Sequence, residues 1–534
     1  MSAAHELAPS PPEAAVHLPL HAASPSPEGS SRLDWARAWR GIAVLLALGG
    51  LGLLTVRPID DPDLWWLLGA GRYMVETRAF LSTDPFSYTA NGATWINHAW
   101  GFELLLYAIY GGAGTTGLIL FQALVTVGIF GMLYRTLRRE GAPTWAALAL
   151  LTAGAVATQG FWRARPQLVT YLGLAVFGSA LRDFRAGRQD RRGLLWLPLF
   201  MVVWVNLHAG FLIGLVLVGL TLAGEMVDAA FAGREPRAGV ADRVNALAVT
   251  LGLSVAAAFL NPFHYRALLF PWQVVSDRLS QDFITEWASL PFQDPQVVLL
   301  EGLVVLFVVL SLLTRRPPVL SELGVVLVFV YLALQAARNA PLLVIVLLPI
   351  LGHELAEWLT TRSRGFASPA LRWSRVVAGG AGVALVAALG AWRGGGPAAE
   401  SLVPSALVAP LRPGLGIGGS FPAGAVAYLQ ANRLPGRLLN EYVWGGYLIW
   451  TLYPDYRVSI DGRAAVYGPA LLGEHIALVD LHPGWAAALD HLAPDVALVR
   501  AGSPLALVLR ASPGWETRYE DSVATVLGRR PQAR

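Results

Sequence analysis

Long apolar runs, separated by short polar segments, recur along most of this 534-residue chain. Their length matches the roughly 20 residues that a helix needs to cross a bilayer. The pattern predicts a polytopic α-helical membrane protein with about 11 transmembrane helices, near residues 41–56, 114–134, 144–161, 167–182, 194–207, 210–228, 244–260, 297–314, 319–336, 341–357 and 377–392. Residues 101–111 predict a short interfacial or re-entrant helix. Residues 194–228 could instead form one long helix broken around residues 206–210.

The loops between the predicted spans differ in their arginine content. Cytoplasmic loops of membrane proteins carry an excess of basic residues. The arginine-rich loops, which are therefore assigned to the inside, contain Arg135, Arg138, Arg139, Arg182, Arg185, Arg188, Arg191, Arg192, Arg234, Arg237, Arg243, Arg315, Arg316, Arg362, Arg364, Arg372 and Arg375. This assignment predicts a cytoplasmic N-terminus. It places the first loop, residues 57–98, and everything after Arg393 on the extracytoplasmic side.

The segments outside the predicted membrane domain, residues 32–392, have other patterns. Residues 1–31 are rich in Pro, Ser and Ala and predict a disordered cytosolic tail. Residues 393–420 are rich in Gly, Pro and Ala and predict a linker. Residues 421–534 alternate helical and strand patterns, which predicts a small extracytoplasmic α/β domain that folds alone. Its helices are expected at 422–434, 445–452, 469–480 and 484–492, and its strands at 436–441, 457–460, 496–500, 516–520 and 523–527.

The composition excludes several kinds of chemistry. The chain has no cysteine, so disulfides, zinc–thiolate sites and thiol nucleophiles are absent. All 40 basic residues are arginines, which excludes a Schiff-base lysine and a Walker lysine. No G-x-S-x-G, Walker or Rossmann motif is present. Because the arginines follow the predicted topology, nucleic acid is not an expected partner.

Three carboxylates, Asp60, Asp61 and Asp63, stand directly after the first predicted span. Acidic side chains near membrane depth are costly and usually have a function. Asp61 also fits a helix N-cap, with Asp63 in the first helical turn. Capping needs only one carboxylate, however, and leaves Asp60 unexplained. The residues that follow, including Trp65 and Trp66, predict a helix that lies in the membrane interface.

Further polar residues stand at the extracytoplasmic ends of other predicted spans. They include Asn97, His98, Glu103, Arg163, Arg165, Asn206, His208, Asn261, His264, Glu286 and Arg338. Outward arginines run against the positive-inside bias, and a guanidinium group matches the geometry of a phosphate. The alternative for each arginine is contact with lipid headgroups. For the histidines the alternative is an ordinary hydrogen-bonded side chain, and none has the i, i+4 spacing of a zinc site.

The ordered set of motifs resembles the GT-C class of integral-membrane glycosyltransferases, in particular an uncharacterised bacterial branch that depends on polyprenyl-phosphate sugars. The resemblance covers nearly all of residues 33–530. It rests on the acids after the first span and on the segments 61–66, 84–89, 95–100, 163–167, Asn206 with His208, 261–263, Glu286-Trp287, 442–447 and Asp461-Gly462-Arg463. In one departure, Leu67 stands where relatives are expected to carry a histidine after the tryptophan pair. A role for that histidine is then absent or moved, for example to His98.

The resemblance implies a transferase that moves a sugar from a polyprenyl-phosphate-linked donor to an acceptor hydroxyl at the outer face of the bacterial inner membrane. It implies Asp60 or Asp61 as the general base and Arg163, Arg165 and Arg338 as ligands of the donor phosphate. The implied substrate contacts are Asp63, which also suits helix capping, Trp65, Trp66, Asn97, His98, Asn206, His208 and Glu286. A divalent cation at Asp60 and Asp61 is left open, as are the sugar and the acceptor. Membrane lipids are the other expected partner.

Two other classes of protein remain as alternatives. The first is a non-enzymatic transporter or flippase of lipids or glycans, which would typically show internal repeats and charges at the membrane midplane. The second is an O-antigen polymerase or ligase, which would depend on outer arginines more than on paired aspartates. In the C-terminal segment, Tyr442 and Trp444 could stack on a sugar ring. Asp461 and Arg463 are expected to form either an acceptor contact or a structural ion pair.

Overall fold

The computed structural model describes residues 28–231, 239–314, 320–363 and 419–530. The helices before residue 364 are α1 (Glu28–Leu53), α2 (Pro62–Thr77), α3 (Trp100–Arg139), α4 (Thr144–Ala157), α5 (Gln167–Arg185), α6 (Trp196–Leu207), α7 (Phe211–Phe231), α8 (Val240–Ala257), α9 (Tyr265–Ser276), α10 (Arg278–Phe283), α11 (Pro295–Leu313), α12 (Leu320–Gln335) and α13 (Ala340–Ser363). The predicted span at 377–392 lies outside the described residues, as does most of the predicted linker. Each of the other predicted spans coincides with a helix.

Among the residues that the structure describes, five helical stretches are long and apolar enough to cross a membrane by length and composition. They are Trp100–Arg139, Phe211–Asp228, Val240–Ala257, Pro295–Leu313 and Ala337–Thr361. The chain is therefore a polytopic helical membrane protein. The predicted number of 11 spans stays a prediction, because helices such as α4 and α12 are shorter.

Two breaks in the helical pattern fall where the sequence predicted them. Helix α3 has a non-helical residue at Gly114, with φ 58° and ψ −151°. Glycine adopts such a left-handed conformation without a steric penalty, and the break separates the predicted short helix 101–111 from the following span. The run 194–228 forms two helices, α6 and α7, with a break at residues 208–210. Both alternatives, two spans or one long helix broken around residues 206–210, place a break at this point.

The first helix begins earlier than its apolar run. The span was predicted from Gly41, whereas α1 begins at Glu28. Residues 28–46 form a separate compact unit, and their described side chains are largely exposed. Polar residues do not end a helix by themselves, and the Ser, Arg, Trp and Ala residues in this stretch are compatible with one.

The segment after residue 419 contains a four-stranded sheet with helices around it. Its helices are α14 (Ala423–Asn432), α15 (Gly445–Leu452), α16 (Ala464–Val479), α17 (Trp485–Leu492) and α18 (Pro504–Ala511). The strands β1 (Leu438–Asn440), β2 (Val496–Arg500), β3 (Trp515–Glu520) and β4 (Ala524–Arg529) lie in the order β1-β2-β4-β3. β1 and β2 are parallel, and the other pairs are antiparallel.

Two elements of this segment differ from the sequence prediction. Residues 457–460 are not a regular strand, because only Val458 bridges, to Ser87 on one side and Leu438 on the other. Helix α18 was not predicted. Ser503 accepts a hydrogen bond from the Ala506 backbone N–H at 3.2 Å, and Pro504 is the first helical residue. That pair is a recognisable signal for the start of a helix.

The C-terminal segment shares a hydrophobic core with the first loop. Trp65 of α2 is only 1% exposed, and its ring centre lies 5.8 Å from that of Phe421 and 5.3 Å from that of Tyr447. The backbone N–H of Val458 donates to the Phe86 carbonyl at 3.1 Å. The expectation that residues 421–534 fold alone is therefore at odds with the packing, since part of their core belongs to residues 59–106.

Candidate functional site

The first helical turn of α2 fixes the position of two predicted site residues. Asp61 is the N-cap residue, and its Oδ1 atom accepts a hydrogen bond from the Asp63 backbone N–H at 3.0 Å. Pro62 occupies the first helical position, where its missing N–H has no cost. Capping thus accounts for part of the role of Asp61. It also places Asp63 in the first helical turn, close to Arg165.

Arg165 contacts three carboxylates, which come from two distant parts of the chain. Its Nη2 atom donates to Asp61 Oδ1 at 2.6 Å, and its Nε atom donates to Asp61 Oδ2. Its Nη1 atom donates to Glu286 Oε1 at 2.6 Å. Asp63 Oδ2 lies 3.5 Å from Nη2. The Arg165 side chain is 11% exposed, so these are buried, charge-assisted contacts.

Asp63 is less completely bound than Asp61. Its Oδ1 atom accepts a hydrogen bond from Trp66 Nε1 at 3.0 Å, and its side chain remains 30% exposed. Burial raises the pKa of Asp63 to about 6, with the neighbouring Asp61 acting in the same direction and Arg165 opposing it. Asp63 is therefore a carboxylate that can exchange a proton near neutral pH.

Asp60 and two arginines lie on one side of this cluster. Asp60 is exposed, whereas Arg57 and Arg163 are partly buried and lie close enough to influence each other electrostatically. Arg57 Nη2 donates to the Gln159 carbonyl at 2.6 Å, and Arg163 Nε donates to the Gly160 carbonyl at 3.0 Å. Within the described ranges neither guanidinium pairs with a carboxylate. Arg57 was not predicted as a site residue, although it stands three residues before Asp60 in the sequence.

Arg338 lies within electrostatic reach of the cluster. Its guanidinium carbon stands 4.6 Å from the centre of the Trp287 ring, in a cation–π arrangement. Glu286, Arg165 and Asp63 are near enough to act on its charge. In the part of the chain that the structure describes, Arg338 has no ion pair, which leaves its N–H donors available to a ligand.

Two predicted histidines lie beside one another near Arg338. The rings of His98 and His208 have centres 6.0 Å apart, and His98 stacks on Phe270 at 4.7 Å. His208 Nδ1 shares a hydrogen bond with Thr170 Oγ1 at 2.6 Å, whereas His98 Nδ1 is buried without a partner among the described atoms. Burial lowers the pKa of His98 to about 4, so its ring is neutral at physiological pH.

Of the remaining residues that were predicted to contact substrate, some lie at the site and others lie in the hydrophobic core. Trp66 reaches Asp63, whereas Trp65 lies in the shared core, and a substrate contact by its ring is not compatible with that burial. Asn97 is buried and donates to Glu103 Oε2 at 2.7 Å. Asn206 accepts from Trp100 Nε1 at 3.0 Å and donates to backbone carbonyls. The side-chain amides of Asn97 and Asn206 therefore stabilise the fold.

The C-terminal segment also reaches the acidic cluster. Tyr442 is partly buried, packs on Phe283 with ring centres 5.2 Å apart, and lies within electrostatic reach of Asp63 and Arg165. Trp444 is buried and donates to the Ser420 carbonyl at 3.0 Å, so its ring does not face a ligand.

Asp461 and Arg463 form the structural ion pair that was one of the two expectations. Arg463 Nε donates to Asp461 Oδ1 at 2.8 Å, and its Nη2 atom donates to Asp461 Oδ2 at 2.6 Å. Its Nη1 atom lies 2.8 Å from Asp84 Oδ1, in the first loop. All three side chains are almost fully buried, so they are not free to bind an acceptor.

The sequence left open a divalent cation at Asp60 and Asp61, which would need free carboxylate oxygens there. Both oxygens of Asp61 accept hydrogen bonds from Arg165, and Oδ1 also accepts from a backbone N–H. Across the described residues, no group of three His, Asp or Glu side chains is arranged to hold an ion. The side chains in this arrangement do not fit a cation, and metal dependence of the activity stays the open point that it was in the sequence.

No protein-family model and no curated protein sequence matches this chain. Solved structures do match it. One is the archaeal oligosaccharyltransferase AglB from Archaeoglobus fulgidus in complex with an inhibitory peptide and a dolichol-phosphate, with a TM-score of 0.57 and 10% identity over 92% of this chain and 74% of that one. An Archaeoglobus fulgidus oligosaccharyltransferase tethered to an acceptor peptide matches over the same shares, with a TM-score of 0.53 and 13% identity.

A further match is the arabinofuranosyltransferase AftD from Mycobacteria, with a TM-score of 0.52 and 16% identity. The match covers 92% of this chain and 41% of that one. At such identities the likeness establishes the fold and leaves the reaction to be argued from the site. The chain has the fold of the integral-membrane glycosyltransferases of the GT-C type, as the resemblance in its sequence implied.

Proposed function

We propose that this protein is a membrane glycosyltransferase that moves a sugar from a polyprenyl-phosphate-linked donor to an acceptor hydroxyl. One observation carries the proposal. Asp61, Asp63 and Glu286 converge on Arg165, and beside them Arg338 lies with its guanidinium free of any described carboxylate. The site therefore offers both a carboxylate that can accept a proton and a cation for a phosphate.

The matched structures support the choice of a lipid-linked donor. AglB was solved with a dolichol-phosphate and an inhibitory peptide, and an oligosaccharyltransferase from the same organism was solved with an acceptor peptide. A polyprenyl chain needs an apolar surface beside the site. The site of this protein has such a surface nearby, because Arg338 stands at the beginning of the apolar stretch Ala337–Thr361.

Asp63 is the general base in this proposal. Its Oδ2 atom takes the proton of the acceptor hydroxyl, and the hydroxyl oxygen forms a bond to the anomeric carbon of the sugar. The bond from that carbon to the phosphate oxygen breaks, and polyprenyl phosphate leaves with the electron pair. Asp60 and Asp61 were the predicted bases, but the geometry favours Asp63, because Arg165 engages both oxygens of Asp61 and Asp60 is exposed.

The phosphate, whose charge increases as it leaves, is assigned to Arg338, with Arg57 and Arg163 as a second pair of cations near the acids. Arg165 was predicted to bind phosphate as well. Its bonds to Asp61 and Glu286 suit a different role, in which it orients the carboxylates and holds Asp63 nearby. Charge-assisted hydrogen bonds to the departing phosphate would stabilise the transition state more than the ground state.

The site is assigned to the extracytoplasmic face of the bacterial inner membrane. Helix α5 begins beside Arg165 and has 19 residues, which span about 28 Å at a rise of about 1.5 Å per residue. That length is close to the thickness of the hydrocarbon core. At its other end, Arg182 pairs with Glu322 at 3.0 Å in the arginine-rich region that was predicted to be cytoplasmic.

The test is a transfer assay with the purified full chain in lipid nanodiscs. A panel of polyprenyl-phosphate glucose, mannose, galactose and arabinose would be supplied, with water or a simple alcohol as acceptor, and released polyprenyl phosphate would be measured. We expect turnover with at least one donor and a loss of about 10²- to 10⁴-fold in Asp63→Asn. Asp60→Asn, at the exposed neighbour, is the matched control and should stay near the wild-type rate.

Two results would contradict the proposal in different ways. Wild-type turnover by Asp63→Asn, in protein that is correctly inserted, would remove Asp63 as the base. Binding of polyprenyl phosphate without release from any donor would favour the transporter alternative over an enzyme.

A further inference from the structure

The C-terminal segment contacts the carboxylate of Asp63 through a residue that has no side chain. A Cβ atom added to Gly462 would lie 2.2 Å from Asp63 Oδ1 and 3.1 Å from Trp66 Nε1. Both distances are shorter than ordinary contacts of a methyl group. Since Gly462 does not have a left-handed φ, an alanine there would be opposed by the lack of space and not by backbone strain.

Gly446 makes a second close approach to the same helical turn. A Cβ atom added there would lie 2.6 Å from the Pro62 carbonyl oxygen and 3.1 Å from the Trp66 backbone nitrogen. Two glycines of the C-terminal segment thus lie against the first turn of α2. The wall of the site beside Asp63 is backbone from a part of the chain almost 400 residues away in sequence.

The turn that carries Gly462 is anchored on both sides. Asp461 accepts from the Arg463 backbone N–H at 2.9 Å and pairs with the Arg463 guanidinium, and Tyr467 donates to Asp461 Oδ2. Arg463 also reaches Asp84 at 2.8 Å, and its side chain is 2% exposed. Its guanidinium carbon lies 5.1 Å from the centre of the Phe86 ring and 4.6 Å from that of Trp95.

Asp84 is itself fixed within the first loop. Its carboxylate accepts from the backbone N–H groups of Phe86 at 3.0 Å and Ser87 at 3.2 Å. The Tyr88 backbone N–H donates to the Val458 carbonyl at 3.0 Å. These contacts tie the turn to the same loop that carries Asp63, so the position of Gly462 relative to the carboxylate is fixed by several anchors.

We propose that the turn Asp461-Gly462-Arg463 positions Asp63 for proton transfer, with Gly462 setting where the carboxylate stands and the Arg463 ion pairs holding the turn in place. This role rests on the proposed function of Asp63. The turn does not touch substrate, so it consists of positioning residues. If the base is displaced, kcat should fall, whereas the affinity for the donor should be kept because the proposed phosphate contacts are made by other residues.

The decisive variant is Gly462→Ala, assayed in nanodiscs with the donor of the panel that the wild-type protein turns over fastest. We expect kcat to fall about 10- to 100-fold, because displacements of about 1 Å can cost that much, while the donor KM changes less than about twofold. Gly473→Ala is the matched control. Its Cβ atom would lie 3.6 Å from Leu279, an ordinary contact, and it belongs to the same segment.

A second variant covers the case in which Gly462→Ala does not fold. Asp461→Asn keeps the size of the side chain and weakens the Arg463 pair, and it should lower kcat in the same manner by a smaller factor. Wild-type kcat in either folded variant would overturn the positioning role. An equal rise in KM would do so as well, because it would show a general disturbance of the site. If Asp63→Asn loses turnover while these variants keep it, the proposed function stands and only this inference fails.

Discussion

Arg165 binds both carboxylate oxygens of Asp61, with 2.6 Å between Nη2 and Oδ1. The Arg165 and Asp61 side chains are 11% and 8% exposed, so the pair is shielded from water. The same guanidinium also binds Glu286. A single cation therefore joins Asp61, the N-cap of α2, to Glu286 in the 284–288 loop, and its removal would leave both negative charges without this partner.

Arg165→Ala is expected to lower the free energy of unfolding by about 3–5 kcal/mol, the usual effect of removing one partner of a buried ion pair. Thermal unfolding of the purified protein in detergent would measure the loss. Arg278→Ala is a suitable control, because Arg278 is exposed and forms no ion pair in the described structure. Equal stability of Arg165→Ala and Arg278→Ala would show that the ion pairs of Arg165 do not stabilise the fold.

The pH dependence of turnover should show whether Asp63 is the general base. A general base acts in its deprotonated form, so kcat/KM should fall as the pH drops below about 6, the raised pKa of Asp63. An ordinary aspartate would place this fall near pH 4. A profile measured from pH 4.5 to 8.5 distinguishes the two positions, and a flat profile down to pH 5 would be inconsistent with Asp63 as the base.

His98 is not expected to contribute to the acid limb of the pH profile, which is the fall of kcat/KM at low pH. A histidine would ordinarily titrate near pH 6.5 and could produce the same profile. Burial lowers the pKa of His98 to about 4 in this fold, so His98→Gln should leave the midpoint of the limb near pH 6 even if the rate changes. A midpoint that moves in His98→Gln would instead assign the titration to the histidine.

Much of the fold follows from local patterns in the sequence. The predicted helix at 445–452 and strand at 496–500 have the observed bounds, and the break at Gly114 lies between the two helices predicted there. Each of these features depends on neighbouring residues, through apolar periodicity or the freedom of a glycine. Helix α18 could have been found in the same way, from Ser503 and Pro504.

The site was less predictable, because its contacts join distant parts of the chain. Asp61 and Arg165 were both identified as candidates, but nothing in their spacing indicates that they pair with each other and with Glu286, 121 residues after Arg165. The same holds for Arg463, whose partner Asp84 lies in the first loop. Local pattern identifies charged residues at the ends of helices, whereas tertiary packing decides which of them remain free for a ligand.

Arg338 should affect donor binding more than the protonation of the base. Arg338→Gln removes the charge and most of the donors, and we expect polyprenyl phosphate to bind about 10- to 100-fold more weakly, as for the loss of charged hydrogen bonds. Binding of polyprenyl phosphate to the protein in nanodiscs, measured by calorimetry, tests this directly. Arg278→Gln serves as the control for a general effect of charge. Unchanged affinity in Arg338→Gln would transfer the phosphate role to Arg57 and Arg163.

The shared core should make the C-terminal segment dependent on the first loop. Leu448 of α15 is fully buried in the core that includes Trp65, Leu67 and Leu68. Leu448→Ala in the full chain should therefore cost about 2–5 kcal/mol of stability, as for other buried leucines. Leu507→Ala, at a leucine of the same segment that is 54% exposed, should have little effect. Thermal unfolding in detergent compares the two.

Residues 419–534 produced alone extend the same test. They keep one core cluster of their own, which includes Leu439, Leu509 and Trp515. They lose the partners of Phe421 and Tyr447, whose burial depends on Trp65. We expect secondary structure by far-ultraviolet circular dichroism, without the sharp near-ultraviolet signal and cooperative melting of a fixed core. A cooperative transition in the isolated segment would restore the prediction of an independent domain, and it would mean that the contacts with α2 bring a preformed unit to the site.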